Sequence, residues 1–226
     1  MRRLVTVATV ALLSLILADV ALAAFTQTSN ISLTAHKAGK TTGIKADVSS
    51  SDSSVTQPKA AKLLVVTFPS KTRFNLGTPL VTACGLSDAK LASGAACPVK
   101  SLIGSGSAVA NAYPLLTSVP ATVKAYVAGS NRMVMIATAN VLGTTMRTII
   151  HATASGSKLT IPVPTPVVST IKVVLVALKL NVPAMGSGTK ALVTAGQCSA
   201  HRFVVKSHFV YVDGSTFNAT DSSACS

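Results

Sequence analysis

The segment Ile171-Lys172-Val173-Val174-Leu175-Val176-Ala177-Leu178-Lys179-Leu180-Asn181-Val182 decides the fold class. It is the most apolar stretch beyond the N-terminus, and a membrane helix is the rival reading. Lys172, Lys179, Asn181 and Pro183 hold it to 12 residues, well short of the ~20 apolar residues that a spanning helix needs. Its β-branched side chains are stiff at χ1 and suit a pleated surface. A long strand accounts for it.

The same signature spreads outward. Ile31, Leu33 and Ala35 alternate with Ser32, Thr34 and His36, and Ile44, Ala46 and Val48 with Lys45, Asp47 and Ser49; both read as half-buried strands. Lys62 to Phe68 is an apolar run stopped by Pro69, as in a buried central strand. Ile103 to Tyr113 opens Gly-Ser-Gly-Ser and continues in small residues, which lets another layer approach closely. Three hairpins are expected. Val119–Val127 pairs Met133–Asn140 around Ala128-Gly129-Ser130-Asn131, and Met146–Thr153 pairs Lys158–Val163 around Ser155-Gly156-Ser157. Val204–Val212 pairs Thr216–Ala219 around Asp213-Gly214. In the last, Val212 should face Ser215, Cys225 should fall opposite Arg202, and the Val205, Phe209, Tyr211 face should be core. The one helix expected is Leu86–Leu91, capped by Ser87. Ten or so short-spaced strands imply an all-β chain, an antiparallel two-sheet β-sandwich of immunoglobulin-like or jelly-roll-like type. Composition agrees. There is no Glu and no Trp, 49% of residues are hydrophobic and 12% charged, which excludes intrinsic disorder.

Residues 1–23 read as a signal peptide: Met1-Arg2-Arg3, an apolar Leu4–Leu17, then Ala21-Leu22-Ala23 before Ala24. The mature part, 24–226, is expected to form one β domain, with two small subdomains dividing near 140 as the alternative. No transmembrane segment is expected after signal removal. An even cysteine count in an exported protein points to disulfides, and close spacing favours Cys84 with Cys97 and Cys198 with Cys225. The C-x-x-H spacing of Cys198 and His201 is the metal alternative, but zinc wants a second ligand pair. None lies nearby, so neither metal nor cofactor is expected.

Chemistry is sparse. No G-x-S-x-G elbow and no phosphate loop occur, and His36, His151, His201 and His208 read as solvated or half-buried residues. A hydrolase assembled from a Ser, a His and Asp47 or Asp88 is the alternative to a non-catalytic protein. The formal charge is +14, or about +13 once Arg2, Arg3 and Asp19 leave with the signal. Such a field attracts polyanions. Lys37, Lys40 and Lys45 are the candidate contacts, and anionic cell-envelope polymers the candidate partners. No specific nucleic acid is expected, because stacking aromatics are few. The leading expectation is an exported, non-catalytic β-sandwich with a structural or binding role at or near the envelope.

Several stretches resemble a group of uncharacterised exported actinobacterial proteins. They are Lys37-Ala38-Gly39-Lys40, Pro58-Lys59, Leu64 to Pro69 and Thr72-Arg73-Phe74-Asn75, then Ala96-Cys97-Pro98, Ile103 to Gly106 and Tyr211 to Ser215. The resemblance implies an exported, all-β protein with disulfides and brings no activity. That group often carries Trp between the last two cysteines, where this chain has Phe203 and Phe209.

Overall fold

The computed structural model describes residues 25–51, 59–113, 116–141, 143–165, 167–168 and 171–226. The expected signal segment, 1–23, and residues 52–58 lie outside the described residues. The chain is all-β with two disulfides, Cys84–Cys97 and Cys198–Cys225. In order come β1 (Thr26–Leu33), β2 (Ile44–Ser51), β3 (Ala61–Thr67), β4 (Arg73–Phe74) and the short helix α1 (Asp88–Ala92). Then follow β5 (Leu102–Tyr113), β6 (Leu116–Gly129), β7 (Arg132–Val141), β8 (Thr144–Ser155) and β9 (Lys158–Pro162). The last are β10 (Val167–Val168), β11 (Ile171–Val182), β12 (Val193–Thr194), β13 (Arg202–Tyr211) and β14 (Thr216–Ala224). The deciding segment is indeed one long strand.

Eleven strands form a single antiparallel path, β1-β2-β11-β5-β6-β7-β8-β9-β3-β13-β14, with β10 added on β11. The expected division into two sheets is not what the ladders trace. The sheet rolls until its ends meet, giving a nearly barrel-shaped body. Strands of up to 14 residues carry enough right-handed twist to curl a wide sheet on itself. Alternation in a sequence reports which side chains face inward, not whether a ladder runs unbroken. The closing seam between β1 and β14 is stitched by side chains. Asp221 Oδ2 accepts from Ile31 N at 2.9 Å and from Ser29 Oγ at 3.4 Å, and Ser29 Oγ lies 3.1 Å from the Ser207 hydroxyl of β13.

The inward set is apolar: Ile31, Ile44, Leu64, Val66, Ile103, Val123, Met135, Ile161, Val205 and Phe209 are all buried. Outward positions on the same strands carry Lys45, Lys124, Arg132, His151, Lys158, Lys179 and Lys206. That is the reverse of the apolar belt on a membrane-spanning barrel. Among the described residues no helix is long and apolar enough to cross a membrane. Gly106 shows why β5 begins with glycines. A Cβ there would collide with the Lys179 carbonyl of β11, so the neighbour approaching closely is a strand of the same sheet rather than a second layer.

The C-terminal hairpin is one residue out of the expected register. Val210 pairs Thr216 and Arg202 pairs Ala224, so the loop is Val212-Asp213-Gly214, closed by Gly214 N to Tyr211 O at 3.1 Å and Tyr211 N to Ser215 O at 2.9 Å. Gly214 supplies the positive φ of +82° that a three-residue hairpin loop requires. Asp213 Oδ1 accepts from Ser215 N at 2.9 Å, and this Asx contact favours the longer loop over the two-residue turn. Cys225 consequently reaches His201, its N–H donating to the His201 carbonyl at 2.9 Å. The expected core face holds: Val205, Phe209 and Tyr211 are buried.

Candidate functional site

The two barrel ends differ. At one end β1, β3, β11 and β14 finish while β5 and β13 begin. The loops there fold inward as a cap whose framework is the small β4–β12 sheet, pairing Phe74 with Val193 and Arg73 with Thr194. The loop after β1 lies along β12: Gly39 N donates to Ala195 O at 2.9 Å, Ala195 N to Lys40 O at 2.8 Å and Thr42 N to Val193 O at 3.0 Å. Leu192, Val193 and Ala195 are buried beneath it.

Outside this cap lies a cleft of about 830 Å³, lined among others by Gly39, Lys71, Arg73, Phe74, Asn75 and Gln197. Lys71 adopts φ +66°, a left-handed conformation rare outside glycine. The turn before Thr72 holds it: Thr72 N and Oγ1 both donate to Pro69 O, at 3.0 and 2.7 Å. Gly196 brings the segment after β12 against that turn. A Cβ there would stand 2.5 Å from Thr72 N and 2.6 Å from Pro69 O.

Lys37 and Lys40 bracket the Ala38-Gly39 rim of this cleft and are exposed. The structure thus brings two of the three candidate lysines to the same end as Lys71 and Arg73. Lys45 is elsewhere. It points outward from β2 into a shallow groove shared with Asn30, Asp47, Ser105, Lys179 and Asn181. Among the described residues no Asp lines the cap cleft, and the four described aspartates are engaged at other places. Asp47 pairs Lys179 at 3.2 Å, Asp88 pairs His151 at 3.0 Å, Asp213 pairs Lys59 at 3.2 Å, and Asp221 closes the seam.

The contact of Asp88 with His151 places one candidate acid beside a histidine. His151 Nε2 is 3.0 Å from both carboxylate oxygens, at the outer surface of β8. Four residues earlier on the same strand face, Arg147 reaches the carbonyls of Leu91 and Ala95 at 3.4 Å. Together they fasten both ends of α1. The Cys84–Cys97 bridge and Leu91 pack there on Tyr126, Val134 and Ile136, a small core outside the barrel. Among the described residues no Ser hydroxyl bonds to His151. Cys198 is committed to its bridge with Cys225, which removes it as a ligand beside His201. The chain matches no family model, no curated protein and no solved structure.

Proposed function

We propose that this chain is an exported, non-catalytic binding protein acting at or near the cell envelope, which holds anionic envelope polymers at its capped end. The observation that carries the reading is the cap cleft, with Lys71 and Arg73 in its lining, Lys37 and Lys40 on its rim and no aspartate among the described residues of its walls. Unneutralised cations around an open cleft focus a positive field on a polymer's phosphates or carboxylates. Two disulfides suit an oxidising compartment, and the leader-like start supports export.

Retention on an immobilised polyanion tests it. Lys71→Gln with Arg73→Gln should elute from heparin at clearly lower salt than the parent and show a shallower dependence of log affinity on log salt. Lys45→Gln should change less. Equal elution of all three proteins would defeat the reading. A mature N-terminus at or near Ala24 in secreted material tests export. The short Asp88–His151 contact favours a second reading, a hydrolase; covalent labelling by a fluorophosphonate would support it.

A further inference from the structure

Among the described residues four large apolar side chains stand exposed, Leu80, Val99, Leu102 and Val212. The first three gather at the capped end. Val99 is the extreme, 87% exposed, on the single turn Val99–Ser101 that leads into β5. That turn is held in place. Ser101 N donates to Pro98 O at 2.9 Å, and Cys97, just before Pro98, is bridged to Cys84. Thr82 N donates to Lys100 O at 3.2 Å. The bridge and this bond set residues 80–84 antiparallel to 97–102, which brings Leu80 toward Leu102 at the start of β5. On its other side Leu80 rests on the loop 186–190, where a Cβ on Gly186 would collide with both Leu80 Cδ1 and the Lys190 carbonyl. A single exposed valine is ordinary. Three aliphatic side chains on a braced ridge mark an interaction surface.

Charge says what covers it. Lys100 sits within the ridge and Lys190 beside Leu80, both exposed. Asp88 belongs to the Cys84–Cys97 loop but is held 3.0 Å from His151 on the outer face of β8. The other described aspartates are engaged on β2, on β14 and at the far hairpin. Exposed aliphatic groups beside uncompensated lysines match the surface of an anionic bilayer, where the aliphatics reach the acyl boundary and the ammoniums meet lipid phosphates. A soluble polyanion would use the lysines and leave the ridge in water. A second copy would set like charges against each other. We propose that the capped end docks peripherally on an anionic lipid bilayer, Val99, Leu80 and Leu102 entering the head-group layer. The barrel wall, with its charged outer face, stays outside. This surface shares the cap with the basic cleft but does not depend on Lys71 and Arg73.

The chain has no Trp, so one introduced Trp reports one position. Val99→Trp emission should shift to the blue with vesicles of phosphatidylglycerol and phosphatidylcholine, and brominated acyl chains should quench it. Val212→Trp, on the far hairpin, should show neither effect. Because Trp itself favours bilayer interfaces, the parent chain should also co-float with the anionic vesicles, and far less with phosphatidylcholine alone. Val99→Ser with Leu102→Ser should weaken flotation by roughly tenfold or more and leave heparin elution unchanged. Val99→Ser alone, at the most exposed position, should move the same way should the pair disturb folding. Lys100→Gln with Lys190→Gln should weaken flotation by roughly tenfold. Lys71→Gln with Arg73→Gln should lose heparin retention while flotation persists, so this inference and the polyanion reading fail separately. A parent chain that floats with no vesicle, or equal quenching at positions 99 and 212, would overturn the proposal. So would a Val99→Trp shift that grows with protein concentration in the absence of lipid, since a second copy would then cover the ridge.

Discussion

The capped and uncapped ends of the barrel are built from the same strands yet held by different forces. At the cap, a disulfide joins Cys198 to Cys225, backbone bonds bind the loop after β1 to β12, and Gly196 packs against the Pro69–Thr72 turn. At the other end the walls narrow to alanine, space remains inside, and the ties are polar clips: Lys59 with Asp213 at 3.2 Å, and Tyr211 OH donating to Gln27 Oε1 at 2.9 Å. Burial pushes the Tyr211 hydroxyl up to about 12, with the Asp213 charge adding to it, so the phenol remains a donor at neutral pH. Covalent and close-packed constraint gathers at the cap, although voids of about 60 Å³ lie beneath both ends.

The sharpest way to break this comparison is to cut the cap's covalent tie. Cys225→Ser opens a loop with a sequence separation of 27, and the chain-entropy estimate for a loop of that size is about 3–4 kcal/mol. Urea unfolding should show that loss, with Cys84–Cys97 still formed in peptide maps. A loss below about 1 kcal/mol would mean that backbone bonds alone fix the cap.

A matched pair of small-to-larger substitutions sharpens the contrast. Gly196→Ala inserts a methyl against Pro69 O and Thr72 N and should cost about 2–3 kcal/mol, since overpacking against backbone cannot relax cheaply. Ala137→Val adds a larger group into a void and should change stability by less than about 1 kcal/mol in either direction. Equal destabilisation of the two would show that both ends are packed alike. A gain is expected instead at Ala200, where φ is +49° next to His201 at +59°. The Ser199–Arg202 turn they form is a tight hairpin that normally recruits Asn or Gly. Ala200→Gly should therefore stabilise by about 0.5–1 kcal/mol, the relief of left-handed strain outweighing the entropy of glycine.

That turn also marks where reading the sequence stops. Alternation exposed β2, β13 and the inward faces because burial imposes a period of two. Glycine turns exposed the β6–β7 and β8–β9 hairpins because those contacts are local. Cys-Ser-Ala-His-Arg carries no turn signal, and only the bridge beside it and the Cys225 N–H make the turn pay. The pairings of β2 with β11, β9 with β3 and β3 with β13 depend on distant partners, so the rolled sheet was beyond local pattern. For the same reason nothing local ties Lys71 and Arg73 to Lys37 and Lys40, which come near one another only through the cap loops. The one-residue error at Asp213-Gly214 has a local cause, since an Asx contact and a two-residue turn begin from the same dipeptide.

The smallest expected effect is electrostatic and belongs to the uncapped end. Asp213 is held down to about 2 from its ordinary 3.8, first by the Ser215 hydroxyl, then by the Ser215 N–H and then by Lys59. A carboxylate whose folded value is depressed contributes stability above the unfolded value, and that contribution fades as pH falls from about 4 through about 2. The clip should thus stay closed at pH 4 and open near pH 2, while the disulfide-tied cap is indifferent to acid over the same range. A ¹³C titration of the Asp213 carboxyl should give a midpoint near 2. Ser215→Ala should raise it further than Lys59→Gln does, because hydrogen bonds to the carboxylate outweigh an exposed ammonium that water screens. The opposite order would make Lys59 the principal partner of Asp213.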